Sequence, residues 1–207
     1  MKNVTRGLSI ITLLFAFTPG ILFAGNGKGV SSSGTLSVQE EAGLLQMREE
    51  EKLARDVYRY LNASWSLRIF ENIAASEQEH MDAIKNLLDK YSLEDPARPD
   101  EGAFSDSDIQ ALYDFLINEG INSKVAALQV GATIEDMDIY DLQKLVDETD
   151  NADITRVYLN LMKGSRNHLR AFVGTLEILG ESYEASSYLT QEQIDAILDS
   201  GWETGPF

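Results

Sequence analysis

Apolar residues recur every three to four positions along almost the whole of this 207-residue chain, and runs of strict alternation are lacking. That period belongs to helices with one buried face, and it leaves no segment from which to build a sheet. Leu44, Met47, Glu51, Ala54, Tyr58 and Leu61 share one such face. Phe70, Ile73, Glu77, His80, Ile84, Leu87 and Tyr91 share a second, and Val157, Leu161, Ser165, His168, Phe172, Thr175 and Leu179 another. A helix of about 25 residues is roughly 38 Å long, so such stripes demand partners of matching length.

Local signals set the boundaries. Ser37 is placed to cap a first helix running to about Asn62, with "NASWS" as the turn after it. A second helix spans about Leu67 to Tyr91, and Pro96 and Pro99 in "SLEDPARPDEGAF" bar its continuation. "SDSD" opens a shorter helix, with Ser105 as cap and Asp108 three positions on, ending at Gly120. A third long helix covers about Ser123 to Glu148, and "TDNAD" turns the chain. The fourth runs from about Ala152 to Leu179, stopping at Gly180, and a Thr190–Gln193 capping box announces a last short helix, Gln191 to Asp199.

Short turns join the first long helix to the second and the third to the fourth, so each pair is expected to form an antiparallel hairpin. About 30 residues separate the pairs, enough to travel the length of the molecule. The predicted fold is all-α: a four-helix bundle with one long crossover containing a short extra helix, plus a short C-terminal helix.

The stripes are not wholly apolar. Both histidines of the chain, His80 and His168, fall on them. In an antiparallel hairpin, residues equidistant from the turn lie at one height. Glu51 and Glu77 are equidistant from residue 64, Glu135 and Ser165 from 150, and Asp138 and His168 from 153. Glu51, Glu77 and His80 should therefore share a level in one hairpin. Glu135 or Asp138 should share one with Ser165 and His168 in the other. Buried carboxylates without partners are costly, and a bound cation removes that cost. Carboxylate oxygen with imidazole nitrogen suits iron, manganese or zinc, and the i, i+3 spacing lets Glu77 and His80 reach one site.

The remaining polar residues have simpler expected roles. Glu49, Glu50 and Glu79 project off the stripes and read as solvated face. Trp65 and Trp202 read as packing near helix ends, and Arg166 and Arg170 as salt-bridging partners across the bundle.

The ends and the charge narrow the setting. Residues 1–24 carry Lys2 and Arg6, an apolar run from Leu8 to Phe17 and a Pro19-Gly20 break, the layout of a secretory signal peptide cleaved after Ala24. Residues 25–36 read as a flexible Gly/Ser leader, 37–200 as one domain and 201–207 as a tail. A periplasmic or secreted protein is expected, with no stable membrane insertion after cleavage. The chain has no cysteine, which excludes disulfides, thiolate ligands and a cysteine-bound rubredoxin module. A net charge of −17 repels phosphate backbones, so nucleic acid is not an expected partner.

The pieces "EEEKLARDVY", "ASEQEHM", "GATIEDMDIYDL" and "GSRNHLRAF" together resemble the ferritin-like superfamily, specifically an uncharacterised ferritin-like domain family of bacteria and archaea, over about residues 40 to 199. The resemblance implies a dinuclear-metal bundle, with a Glu from each of two helices and Glu-x-x-His from each of the other two. On that pattern Glu51 matches the first-helix Glu, and Tyr58, seven residues on, resembles the tyrosine behind it in rubrerythrin-type proteins. Glu77 and His80 match the first Glu-x-x-His. Glu135 is the third-helix carboxylate, with Asp138 one turn on as backup or additional ligand. In the fourth helix His168 is kept, but Ser165 stands where the bridging Glu belongs, so a mononuclear site, a lopsided pair and compensation by Asp138 all stay open. The function implied is an iron or manganese oxidase or peroxidase acting on dioxygen or peroxide. The other readings are a metal-sequestering protein without turnover and a metal-free structural or partner-binding bundle. A homodimer is one open arrangement.

Overall fold

The computed structural model describes residues 36–205. The signal-peptide reading (1–24) and, apart from Leu36, the leader (25–36) lie outside the described residues. Six helices follow in order: α1 (Val38–Trp65), α2 (Arg68–Tyr91), α3 (Ser107–Gly120), α4 (Lys124–Glu148), α5 (Ala152–Ile178) and α6 (Gln191–Asp199). No strand occurs among the described residues, as the 3.6 period requires. No helix among them is long and apolar enough to cross a membrane.

The four long helices pack as two hairpins, α1 on α2 and α4 on α5, which meet along an α1–α4 seam and an α2–α5 seam. Side-chain contacts fix the directions. Gly43 of α1 faces Leu145 of α4, whereas Tyr58 reaches Gly131 and Glu135, so α1 and α4 run antiparallel. Across the other seam Gly164 faces His80, and Lys90 pairs with Asp153, giving α2 and α5 the same opposed sense. Tyr58, Phe70 and Phe172 form one aromatic cluster, with centroids 5.3–5.9 Å apart, where the two hairpins join.

Three boundary details differ from the sequence reading. The helix absorbs most of "NASWS", because Ser66 takes the left-handed conformation (φ 51) and returns its N–H to Asn62, leaving a turn of two residues. The cap of α3 is Asp106, whose carboxylate accepts from the Asp108 and Ile109 N–H groups, while Ser105 Oγ donates to the Pro96 carbonyl. Glu49 and Glu50 are buried, not solvated. Glu49 accepts the Ser105 and Asp106 N–H groups at 2.6 and 3.1 Å and so anchors the crossover on α1. Asp56 does the same two turns on, held by Lys52 and Arg55 and accepting the Gly102 N–H at 2.9 Å.

The tail differs too. Arg166 and Arg170 pair with Glu203 of the C-terminal segment, not with acids across the hairpins, and Trp202 is 65% exposed. Glu79 is exposed as expected, and Trp65 packs at a helix end and donates to Gly120 O.

Glu40 ties the start of α1 to the distant α4–α5 turn. It completes the Ser37 capping box and accepts from Thr149 Oγ1 (2.6 Å) and Asn151 Nδ2 (2.7 Å). Burial opposes its charge, but the hydrogen bonds from Thr149, Ser37 and Asn151 prevail and hold its pKa near 2. A depressed carboxylate contributes stability that is fully present above its unfolded pKa and is lost as pH falls through the folded value. Glu40→Gln should cost about 1–3 kcal/mol at neutral pH. Urea titrations from pH 7 to pH 2 should show the gap from the parent protein closing below about pH 4.5.

Candidate metal centre

Four helices converge side chains on one buried point. Glu51 comes from α1, Glu77 and His80 from adjacent turns of α2, Glu135 from α4 and His168 from α5. Glu51, Glu77 and Glu135 are at most 1% exposed. The ligand-capable atoms form two groups of three, each within 4.8 Å: Glu51, Glu77 and His80, and Glu77, Glu135 and His168. The two imidazole rings lie 5.6 Å apart and stack at 26°.

Glu77 belongs to both groups. Its Oε2 lies 2.7 Å from His80 Nδ1, and its Oε1 lies 2.8 Å from His168 Nδ1. Glu51 Oε2 closes the first group at 3.1 Å from His80 Nδ1, and Glu135 Oε2 the second at 3.4 Å from His168 Nδ1. The arrangement is nearly two-fold, with Glu77 spanning its halves.

These distances suit ion pairs, yet the directions largely do not suit hydrogen bonds. Both oxygens of Glu77, Oε1 of Glu51, Oε2 of Glu135 and Nδ1 of His168 are buried without any hydrogen-bond partner. A hydrogen bond needs the N–H aimed at the acceptor, whereas ligands aim their lone pairs at a common point beside them. Two donors each about 2.1 Å from one ion sit about 3.0–3.4 Å apart, close to the spacing found here. The donor set therefore suits cations, and Glu77 is within reach of both groups.

Electrostatics without an ion shows the strain. Burial works against the Glu77 charge, but His168 and His80 hold its pKa well below the carboxylate range. Burial pushes Glu51 up to about 7 despite His80, and raises Glu135 despite His168. Burial opposes charge on the imidazoles as well, yet Glu77 and Glu51 raise His80 well above its ordinary value. Glu77 and Glu135 bring His168 to about 10.

The outer residues fall out unevenly. Tyr58 is fully buried and donates to Glu135 Oε1 at 2.5 Å, so it orients that carboxylate. Asp138 is 1% exposed with both oxygens unpartnered, but it belongs to neither group of three. Burial, then the charges of Glu51 and Glu135, raise its pKa well above the usual range. Ser165 is buried at the level expected, but its hydroxyl turns back to the Leu161 carbonyl at 3.2 Å and offers the centre nothing.

Two contributing residues escaped the sequence reading. Ser76 Oγ lies 3.0 Å from His168 Nε2 and fixes that ring from behind. Gly164 leaves room for His80, since a Cβ there would lie 2.5 Å from its Nε2. A glycine inside a long helix, costing about 1 kcal/mol against alanine, was the available signal. Gly164→Ala should push the His80 ring away from Glu51 and Glu77. Instead of the usual helix gain it should cost about 1–3 kcal/mol, read by thermal melting.

Residues 40–201 match the family described as "Uncharacterized protein domain (DUF2202)". The uncharacterized protein MJ0754 of Methanocaldococcus jannaschii is 53% identical over 171 residues, covering 82% of this chain and 92% of that protein. The crystal structure of hypothetical protein MJ0754 superposes with a TM-score of 0.81 at 50% identity, covering 84% of this chain and all of the other.

Proposed function

We propose that this chain, which belongs to the DUF2202 domain family, is a ferritin-like four-helix metalloprotein that binds two transition-metal ions, iron or manganese, side by side. The observation that carries this reading is Glu77, whose two buried oxygens each face a different histidine without hydrogen-bonding to either. Glu51 and His80 would hold one ion, Glu135 and His168 the other, and Glu77 would span both. Oxygen and imidazole donors without thiolate suit these metals, with zinc as the redox-silent competitor. Iron or manganese held there would supply the electron-transfer chemistry that dioxygen or peroxide requires.

The chain's own residues do the rest. Ser76 and Tyr58 orient His168 and Glu135, and Tyr58 is itself packed against Phe70 and Phe172. The short side chain at Ser165 leaves the α5 side of the centre with one carboxylate fewer than the α2 side. The signal-like first 24 residues favour an exported protein loading its metal outside the cytoplasm.

Metal analysis of the purified protein, joined to anomalous scattering from crystals, tests the reading. Two ions per chain at the Glu77 level are expected. A protein that takes up no iron, manganese or zinc on dialysis would instead have a metal-free polar core. Stopped-flow mixing of the ferrous protein with oxygen or peroxide then tests turnover. A rate equal to that of free ferrous iron would leave binding alone.

A further inference from the structure

Buried acids in this protein divide sharply into two kinds. Glu40, Glu49, Asp56 and Asp136 have donors: Asp136 alone accepts from Tyr183 Oη, Ser186 N and Leu189 N, each at 2.9 Å. Among the described residues, the buried carboxylate oxygens without a partner all belong to the centre or to two further residues, Glu50 and Asp138. Glu50 is 3% exposed, with Gln46 Nε2 donating to Oε1 and nothing to Oε2; Asp138 has no donor at all.

These unpartnered groups are contiguous with the centre and lead away from it. Glu135, Asp138 and Asp141 stand at i, i+3 and i+6 on α4, so they form one stripe. Exposure rises along it, from fully buried Glu135 to half-buried Asp141. On the facing helix, Glu51 belongs to the centre and its neighbour Glu50 to the outer step. The α1–α4 register that sets Gly43 against Leu145 and Tyr58 against Gly131 brings Glu50 level with Asp138, and Asp138 feels the Glu51 charge as Glu50 feels that of Asp141. The stripe follows the α1–α4 seam, whereas the histidines lie on the α2–α5 seam. Tyr188 lies beside the outer end, close enough to feel Asp141 and Glu50, on the segment that Asp136 holds in place.

We propose that Asp141, Glu50 and Asp138 form a carboxylate ladder that binds divalent cations in transit and passes them from the α1–α4 surface to the buried centre. The proposal rests on the metal-centre reading above. A cation entering a dry interior must shed its water, and carboxylate oxygens at successive depths replace that shell stepwise. Acids at the mouth also concentrate cations, an effect worth tenfold or more in association rate. The unpartnered oxygens, both of Asp138 and Oε2 of Glu50, follow from the same role, because a carboxylate oxygen already held by a lysine or an N–H group is not free to accept an ion.

The test follows cobalt(II) loading of the full chain by stopped-flow absorbance at low ionic strength. Glu50→Gln/Asp141→Asn is compared with wild type and with Glu71→Gln/Asp147→Asn, which removes two exposed acids elsewhere. The ladder variant should load about tenfold more slowly, with the final cobalt content equal to that of wild type, while the control stays within about twofold of the parent rate. Neutralising unpaired buried acids should not impair folding, and an unchanged or higher melting temperature checks this. An unchanged loading rate, as entry past the histidine edges would give, overturns the ladder, as does an equal slowing in the control. A lower final cobalt content makes Glu50 or Asp141 a resident ligand and also overturns a transit role. Wild-type protein that binds no cobalt, iron or manganese overturns the centre itself, a distinct result.

Discussion

Glu77→Ala should abolish metal at both positions, whereas His80→Ala and His168→Ala should each remove one ion. The asymmetry follows from Glu77 Oε2 and Oε1 serving different histidines at 2.7 and 2.8 Å. Metal content per chain after loading and gel filtration reads it directly, as two ions, none, one and one. The metal-free variant should also be less stable than metal-free wild type. Glu77 is the strongest counter-charge to both imidazolium groups, and removing one partner from a buried ion pair costs about 3–5 kcal/mol. Metal content that survives Glu77→Ala would mean the ions sit elsewhere and that this cluster is only an ion-pair network.

Stripping the metal should lower the melting temperature by at least about 8 °C, since an ion at 1,000 times its Kd contributes about 4 kcal/mol and each kcal/mol shifts a domain of this size by about 2–4 °C. The gap should widen as pH rises, and the sign can be worked through group by group. Glu51, Glu50 and His168 have folded pKa values raised to about 7, 8 and 10. A raised group contributes stability that is complete below its unfolded pKa and is lost as pH climbs through the folded value. For Glu51 and Glu50 that window runs from about pH 4.5 to 8, and for His168 from about pH 6.5 to 10. The metal-free fold should therefore weaken steadily from pH 6 to pH 9. In the loaded protein metal has displaced the protons of Glu51 and His168, leaving only Glu50 to titrate, so its melting temperature should fall much less over that range. Calorimetry at several pH values with and without chelator checks both statements, and parallel curves would defeat the second.

The legible part of this molecule was the part governed by local periodicity. Steps of three and four placed Glu51, Glu77, His80 and His168 on buried stripes, and short turns fixed which helix lay beside which. Counting residues from each turn then set the depth at which those side chains meet. Capping chemistry was read well where a hydroxyl leads into Glu or Gln, as at Ser37 and Thr190, and misread at Ser105, where the neighbouring carboxylate of Asp106 is the better acceptor. Glu49 and Glu50 went wrong for a different reason. Off-stripe acids of α1 are solvated only if nothing covers that side, and here the crossover reaches Glu49 and α4 packs on the same helix.

The sequence alone determined helix content, hairpin pairing and a shared depth for two imidazoles with Glu51, Glu77 and either Glu135 or Asp138, because each depends on spacing along one chain segment; that Glu135 meets His168 was decided by packing. Only the tertiary structure decided that Glu77 faces both histidines, that Ser165 withdraws while Ser76 and Gly164 position the rings, and that Glu50 and Asp138 stay without donors. Those outcomes depend on directions between atoms of different helices, which are set by packing across the seams and leave no period in the sequence.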